Sequence, residues 1–177
     1  VVGAVSVAAL AQLEVPLWPV PVTGQTLGVV VVGAALGARR GAAALTTYLL
    51  AGLAGLPVFA GFTGSIAAVA KPSFGFIIGF IVAAFVAGWF AERAWDRRPV
   101  LAFAGFVLAS AIPFVFGIPY MAFILNVVGG GTFGVSEILA FGLWPFVVGG
   151  LVKAAIAAVA IPAAWAAVRA VDTRKNA

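Results

Sequence analysis

Long uncharged apolar runs constrain the fold of this chain more than any other feature of its sequence. Of 177 residues, 64% are hydrophobic, 10 are Lys or Arg and 5 are Asp or Glu. Several runs are long enough for a helix to cross a hydrocarbon core of about 30 Å, and the mean hydropathy of +1.22 excludes an ordinary water-exposed surface. The chain is therefore predicted to be an all-α polytopic integral membrane protein, with one transmembrane domain over residues 1–177.

The apolar runs predict about six helices. Their expected bounds are Val1–Leu13, Thr26–Ala38, Ala42–Leu56, Phe74–Trp95, Val100–Gly117 and a sixth helix from beyond Pro145 to about Val171. A short apolar helix, Val135–Leu143, is expected before the sixth, and residues 118–132 are expected to form an outer segment. Because the chain starts with Val rather than Met, we also expect further residues upstream of it.

Most basic residues fall in three clusters that alternate with the apolar runs. They are Arg39 and Arg40; Arg93, Arg97 and Arg98; and Arg169, Arg174 and Lys175. The positive-inside rule assigns these clusters, and with them both termini, to the cytoplasmic side. Basic residues in short loops beside apolar helices do not form a nucleic-acid-binding face, so nucleic acid is excluded as a partner.

The composition also excludes several kinds of chemistry. The sequence contains no Cys and no His, which removes disulfides, thiol nucleophiles, zinc sites and histidine acid–base catalysis. It also lacks the Gly-Lys-Ser/Thr phosphate loop of an ATPase. We therefore predict no catalytic residue, no metal site and no cofactor.

Two lysines, Lys71 and Lys153, fall on the side opposite the basic clusters. Lys153 follows Gly149 and Gly150 within an apolar run, where an unpaired ammonium would be costly. It is predicted to lie inside a cavity; the alternatives are that it reaches the lipid headgroups or pairs with Glu137. Lys71 fits equally well as a loop residue in water.

Polar groups near two irregular outer loops, residues 19–25 and 56–65, complete a candidate site. They are Thr23, Gln25, Thr63, Ser65, Lys71, Tyr120, Asn126, Glu137 and Lys153. Cations, amides and hydroxyls within an apolar wall suit a small amphipathic anion that has a carboxylate at one end and an amide-like head at the other.

Three ordered blocks give this sequence a specific resemblance. They are Val20-Pro-Val-Thr-Gly-Gln-Thr-Leu-Gly28; Gly55-Leu-Pro-Val-Phe-Ala-Gly61 with Lys71-Pro-Ser-Phe-Gly-Phe-Ile-Ile-Gly-Phe80; and Gly117-Ile-Pro-Tyr, Ile-Leu-Asn126 and Trp144-Pro-Phe-Val-Val-Gly-Gly-Leu-Val-Lys153. Together they cover most of the chain and resemble the BioY family, the biotin-binding S components of energy-coupling factor (ECF) transporters.

The resemblance implies a six-helix S-component bundle in the prokaryotic plasma membrane, which captures biotin from outside. It implies docking on a transmembrane scaffold subunit with two ATPase subunits, partners that it leaves optional. Ala4 and Ala8 resemble the small-residue docking motif of the first helix. The implied biotin site places the carboxylate near Lys71 or Lys153. The ureido ring is then expected near Asn126, Thr63 and Gln25, beside Thr23, with an apolar wall of Val58, Phe59 and Tyr120.

The chain departs from the family pattern at two positions. Gly150 stands where members usually have Asp, and Ile77 stands where some have Arg. Asn126, Thr63 or Glu137 are candidates to replace the Asp contact. Three alternatives follow: an S component for another small carboxylated vitamin or precursor, a membrane subunit without transport function, and an intramembrane enzyme that uses Glu137 and Lys153.

Overall fold

The computed structural model describes residues 1–94, 99–147, 149–153, 155–157, 159 and 163. These residues form a bundle of α-helices with one short β-ribbon. The helices are α1 (Val2–Ala11), α2 (Gln25–Leu36), α3 (Ala38–Leu53), α4 (Phe74–Glu92), α5 (Pro99–Phe123) and α6 (Val135–Gly142). Helical backbone continues after α6 at residues 144–147, 149–153 and 155–157. The all-α prediction is confirmed.

The Pro-rich connection between α1 and α2 folds into a two-stranded ribbon. Strands β1 (Glu14–Val15) and β2 (Val22–Thr23) are antiparallel, with Glu14 opposite Thr23 and Val15 opposite Val22. Pro16, Pro19 and Pro21 lack the backbone N–H that a helix needs, so the chain turns back here. The ribbon lies at the start of α2 and places Thr23 two residues before Gln25.

A sharp turn at Gly37 separates α2 from α3. Gly37 has a φ of +81°, a conformation that favours glycine. The Ala38 N–H at the start of α3 donates to Glu92 Oε1 over 2.8 Å, which caps α3 with a carboxylate from the end of α4. Arg39 and Arg40 consequently lie in the first turn of α3, whereas the sequence placed them between two helices.

Helix α4 is the central element of the bundle and packs against α2, α3 and α5. It is apolar on all sides: one side packs within the bundle, while Val82, Phe85 and Trp89 are exposed on another. Two glycines allow α5 to approach closely: a Cβ on Gly79 would lie 2.6 Å from Pro113 Cα, and one on Gly75 would overlap Tyr120 Cβ.

Helix α5 corrects the predicted outer segment. The sequence predicts a helix that ends at Gly117, but α5 runs to Phe123 and continues as a π-helical turn over Ile124–Val128. Pro113 and Pro119 lie within α5, and neighbouring groups inside a bundle can satisfy the backbone carbonyls that they leave free. Only residues 129–134 then remain as a connection to α6.

Three helices of the described chain are long and apolar enough to cross a membrane: Phe74–Glu92, Val100–Val128 and Val135–Ala157. Val2–Ala11 and Gln25–Leu36 are apolar but shorter. The six crossings and the cytoplasmic side of both termini stay predictions. Arg97, Arg98, Arg169, Arg174, Lys175 and the predicted helix end at Val171 lie outside the described residues.

Candidate binding site

A cavity of about 210 Å³ opens between the β-ribbon, two short 3₁₀ turns and the helices α4 and α5. The turns are Ala60–Phe62 and Ile66–Ala70, both in the connection from α3 to α4. The polar residues that line the cavity are Glu14, Thr23, Gln25, Thr26, Thr63, Lys71, Ser73 and Lys153. The cavity therefore brings two ammonium groups and one carboxylate to the same space.

Lys153 enters the cavity from the helical segment after α6 and is half-buried. Its Nζ donates to the backbone carbonyl of Thr23 and to Thr26 Oγ1, the latter over 3.1 Å. An ammonium carries three N–H groups, so one remains for a ligand. The described partners of this charge are neutral oxygens. Glu137, the alternative partner that the sequence suggested, instead accepts from the Gly134 N–H.

A buried hydrogen-bond network positions Thr23 on the other side of this contact. Gln25 and Tyr48 are both buried in the described core, where they are 6% and 1% exposed. Gln25 Nε2 donates to the Tyr48 hydroxyl over 2.7 Å, and Gln25 Oε1 accepts from Thr23 Oγ1 over 2.8 Å. The network joins α2, α3 and β2, so the strand that contacts Lys153 is held from within the core.

Lys71 lies on the exposed side of the cavity, at the end of the second 3₁₀ turn. Its Nζ lies 3.4 Å from Thr63 Oγ1, while Thr63 donates to the Ala60 carbonyl over 3.0 Å. Two N–H groups of Lys71 remain available to a ligand at the mouth.

Gln12 holds the loop that carries Phe59 and Thr63. Its Nε2 donates to the carbonyls of Ala8 and Phe59 over 2.9 and 3.2 Å, and its Oε1 accepts from the Phe62 N–H over 2.8 Å. The end of α1 is thereby joined to the wall of the cavity by one side chain.

Aromatic rings form the apolar wall. The rings that line it are Phe59, Phe74, Phe76, Phe80, Phe114 and Phe146. Phe76 meets Phe114 edge-on at 5.6 Å between centroids and stacks with Phe146 at 6.1 Å. Rings in these arrangements favour one another and give a rigid surface for a flat or aliphatic ligand.

The structure brings together six of the residues that the sequence proposed for this site. Thr23, Gln25, Phe59, Thr63, Lys71 and Lys153 line the cavity. Val58 packs beside the core cluster instead, and Tyr120 donates to the Val69 carbonyl. Asn126 donates to the Phe133 carbonyl over 3.0 Å and accepts from the Phe133 N–H over 2.7 Å, so backbone partners satisfy its amide.

Four further residues singled out in the sequence lie away from the lining. One is Glu137, which accepts from the Gly134 N–H. Ser65 accepts from the Ala67 N–H and caps the second 3₁₀ turn. Ala4 is 8% exposed, and Ala8 packs against the core cluster around it, so both alanines face the bundle.

Glu14, Thr26, Tyr48 and five aromatic rings of the wall are absent from the sequence-based site. Glu14 had a signal, since it is a lone carboxylate beside a predicted outer loop. The aromatic rings had no such signal in the sequence, because Phe within a uniformly apolar run is expected in a core and in a cavity wall alike. Of the two departures from the family pattern, Ile77 lines the cavity, whereas Gly150 does not.

Comparison with known proteins agrees with this architecture. The crystal structure of the S-component for biotin from an ECF-type ABC transporter superposes with a TM-score of 0.73 at 24% identity, covering 91% of this chain and 85% of that one. The fold is thus that of an ECF S component, as the sequence predicts.

The sequence relatives define the family. The model of the BioY family matches residues 1–170. The biotin transporter BioY of Rhizobium etli is 36% identical over 162 residues, 87% of this chain and 82% of the relative. That of Thermotoga maritima is 34% identical over 152 residues, 84% of this chain and 82% of the relative. The chain belongs to the BioY family.

Proposed function

We propose that this protein takes up biotin, as the substrate-capture component of an ECF-type transporter. The observation that carries the proposal is the cavity, in which Lys71 and Lys153 face a wall of aromatic rings, in a chain that belongs to the BioY family. Biotin offers a carboxylate for a lysine, an apolar valerate chain and bicyclic ring for the aromatic wall, and a ureido head for the polar groups.

The carboxylate is proposed to lie beside Lys153 or Lys71, and the ureido head beside Thr23, Thr63 and Gln25. An N–H of either lysine would then form a charge-assisted hydrogen bond, among the stronger polar contacts available to a protein. Phe59 and the other aromatic rings of the wall would contact the bicyclic ring of biotin. Tyr120 supports this wall from outside the lining, because its ring packs on Phe74 at 5.9 Å between centroids.

The chain is proposed to cross the plasma membrane of a prokaryote several times, with both termini inside and the cavity facing outward. The basic residues Arg39, Arg40 and Arg93 at the ends of α3 and α4 support that orientation, because they lie at the opposite end of these helices from Lys71. Delivery inward would require a scaffold subunit and two ATPase subunits. Ala4 and Ala8 face the bundle, so a scaffold would have to contact α1 through its other face.

Equilibrium binding of radiolabelled biotin to the purified protein in detergent tests the proposal. We expect saturable binding that an excess of unlabelled biotin abolishes and an excess of nicotinate, pantothenate or lipoate does not. Displacement of the labelled biotin by one of these carboxylates at a lower concentration than unlabelled biotin would assign another cargo. Absence of binding by a folded protein would favour a subunit without transport function.

Transport is tested separately in cells that cannot make biotin. The chain is expressed with and without a scaffold and ATPase set, and uptake of labelled biotin is followed over time. We expect the set to accelerate uptake, since no phosphate loop is present in this sequence.

A further inference from the structure

The carboxylate of Glu14 is the acidic group of the cavity and has no role in the site described so far. Glu14 is half-buried in β1, directly opposite Thr23 in the ribbon. Residues directly opposite in an antiparallel pair project to the same face, and both line the cavity. One carboxylate oxygen lies 3.3 Å from the position that a Cβ on Gly61 would occupy, so the carboxylate lies under the first 3₁₀ turn.

The polar side chains around Glu14 form their hydrogen bonds with other residues. Thr23 Oγ1 donates to Gln25 Oε1, and Gln25 Nε2 donates to Tyr48, so the amide of Gln25 is engaged at both ends. Thr26 Oγ1 accepts from Lys153, and Thr63 Oγ1 donates to Ala60. Among the residues that the structure describes, none donates a hydrogen bond to Glu14 or forms an ion pair with it.

The Glu14 carboxylate is an acceptor-only group that lines the cavity without a donor among the described residues. Lys71 and Lys153 supply donors, which suit the carboxylate of a ligand; they cannot accept from its N–H groups. The cavity therefore contains both cationic donors and one free anionic acceptor, groups that suit a ligand with a carboxylate and N–H donors.

We propose that Glu14 accepts a hydrogen bond from a ring N–H of the ureido head of the ligand, and so discriminates for cargo with an N–H donor at that end. This inference rests on the proposed function, because it assumes that biotin occupies the cavity. It assigns the acceptor in a chain where Gly150 carries no side chain to provide one.

The test combines a substitution with a change in the ligand. Equilibrium binding is measured for wild type and Glu14→Gln with biotin, with biotin methylated at the ureido nitrogens, and with biotin methyl ester. Glutamine keeps the shape and an acceptor oxygen but removes the charge, so we expect about 10-fold weaker binding of biotin. The same loss is expected with the methyl ester, whereas with the N-methylated ligand the two proteins should differ by less than about twofold.

Glu92→Gln is the matched control, because Glu92 lies at the far end of α4, outside the cavity, and its amide oxygen can still cap Ala38. Thermal unfolding verifies that each variant folds, and Glu14→Asp replaces Glu14→Gln if the latter does not. Equal affinities of wild type and variant for biotin, or an equal loss with all three ligands, would overturn the inference. If wild type binds no biotin at all, the proposed function itself fails and the inference with it.

Discussion

Gln25 Nε2 donates to the Tyr48 hydroxyl across the buried junction of α2 and α3, over 2.7 Å. Tyr48→Phe would remove this acceptor and leave a buried amide N–H without a partner. We expect the free energy of unfolding to fall by about 1–3 kcal/mol. Chemical or thermal unfolding of the detergent-solubilised protein measures it.

The double variant Gln25→Met, Tyr48→Phe is the control for that prediction. Replacing both partners by apolar groups of similar size is much less costly than orphaning one of them. We expect the double variant to regain most of the lost stability. If it were instead as unstable as the sum of both single variants, the network would contribute through packing alone.

Gln12 is expected to control the mobility of the loop that lines one side of the cavity. Gln12→Leu would remove the bonds to Phe59 and Phe62 while it keeps an apolar side chain of similar length. Hydrogen exchange at residues 59–63 should accelerate about 10-fold or more, because two bonds of this side chain hold the loop to α1. Exchange in α4 serves as the internal reference and should not change.

The contribution of each lysine to ligand binding depends on how well its ammonium group is solvated or paired in the protein without ligand. Lys153 is half-buried, and its partners among the described residues are neutral oxygens, whereas Lys71 is exposed. A ligand carboxylate gains more where the charge is less well solvated. We therefore expect Lys153→Met to weaken biotin binding about 10- to 100-fold and Lys71→Met less than about 10-fold.

Biotin methyl ester distinguishes a direct ionic contact from a structural role of these lysines. The ester lacks the charge, so wild type and Lys153→Met should bind it with affinities closer together than those for biotin. An unchanged ratio for the two ligands would contradict contact between Lys153 and the carboxylate. The reverse order of the two lysines would assign the contact to Lys71.

The helical fold could be predicted from the sequence because the lengths of the apolar runs and the positions of helix-breaking residues indicate where helices begin and end. Most helix positions follow from it, and the error at α5 has a physical reason. Gly117 and Pro119 indicate a helix end in water, but inside a bundle α5 continues through both. A sequence gives no direct sign of whether neighbouring helices enclose such a segment.

The candidate site could be predicted only in part, for a related reason. Gln25 and Asn126 are both amides within apolar runs, and local sequence does not separate them. Gln25 borders the cavity and reaches Tyr48, while Asn126 closes onto the backbone of Phe133. That difference depends on which helices meet, as does the position of Glu14 beneath the turn at Gly61.

Close packing of α4 on α5 predicts opposite results for two glycine substitutions. A Cβ on Gly79 would lie 2.6 Å from Pro113 Cα and 3.3 Å from the Pro113 carbonyl oxygen, both backbone atoms that cannot move aside by rotation. Gly79→Ala would thus force the helices apart, and we expect it to lower the free energy of unfolding by about 1–3 kcal/mol. A Cβ on Gly150 would have no described atom within 4 Å, so Gly150→Ala should be neutral or stabilise its helix by up to about 1 kcal/mol. Parallel unfolding of both variants in the same detergent measures the contrast, and equal stabilities would show that α4 and α5 separate at little cost.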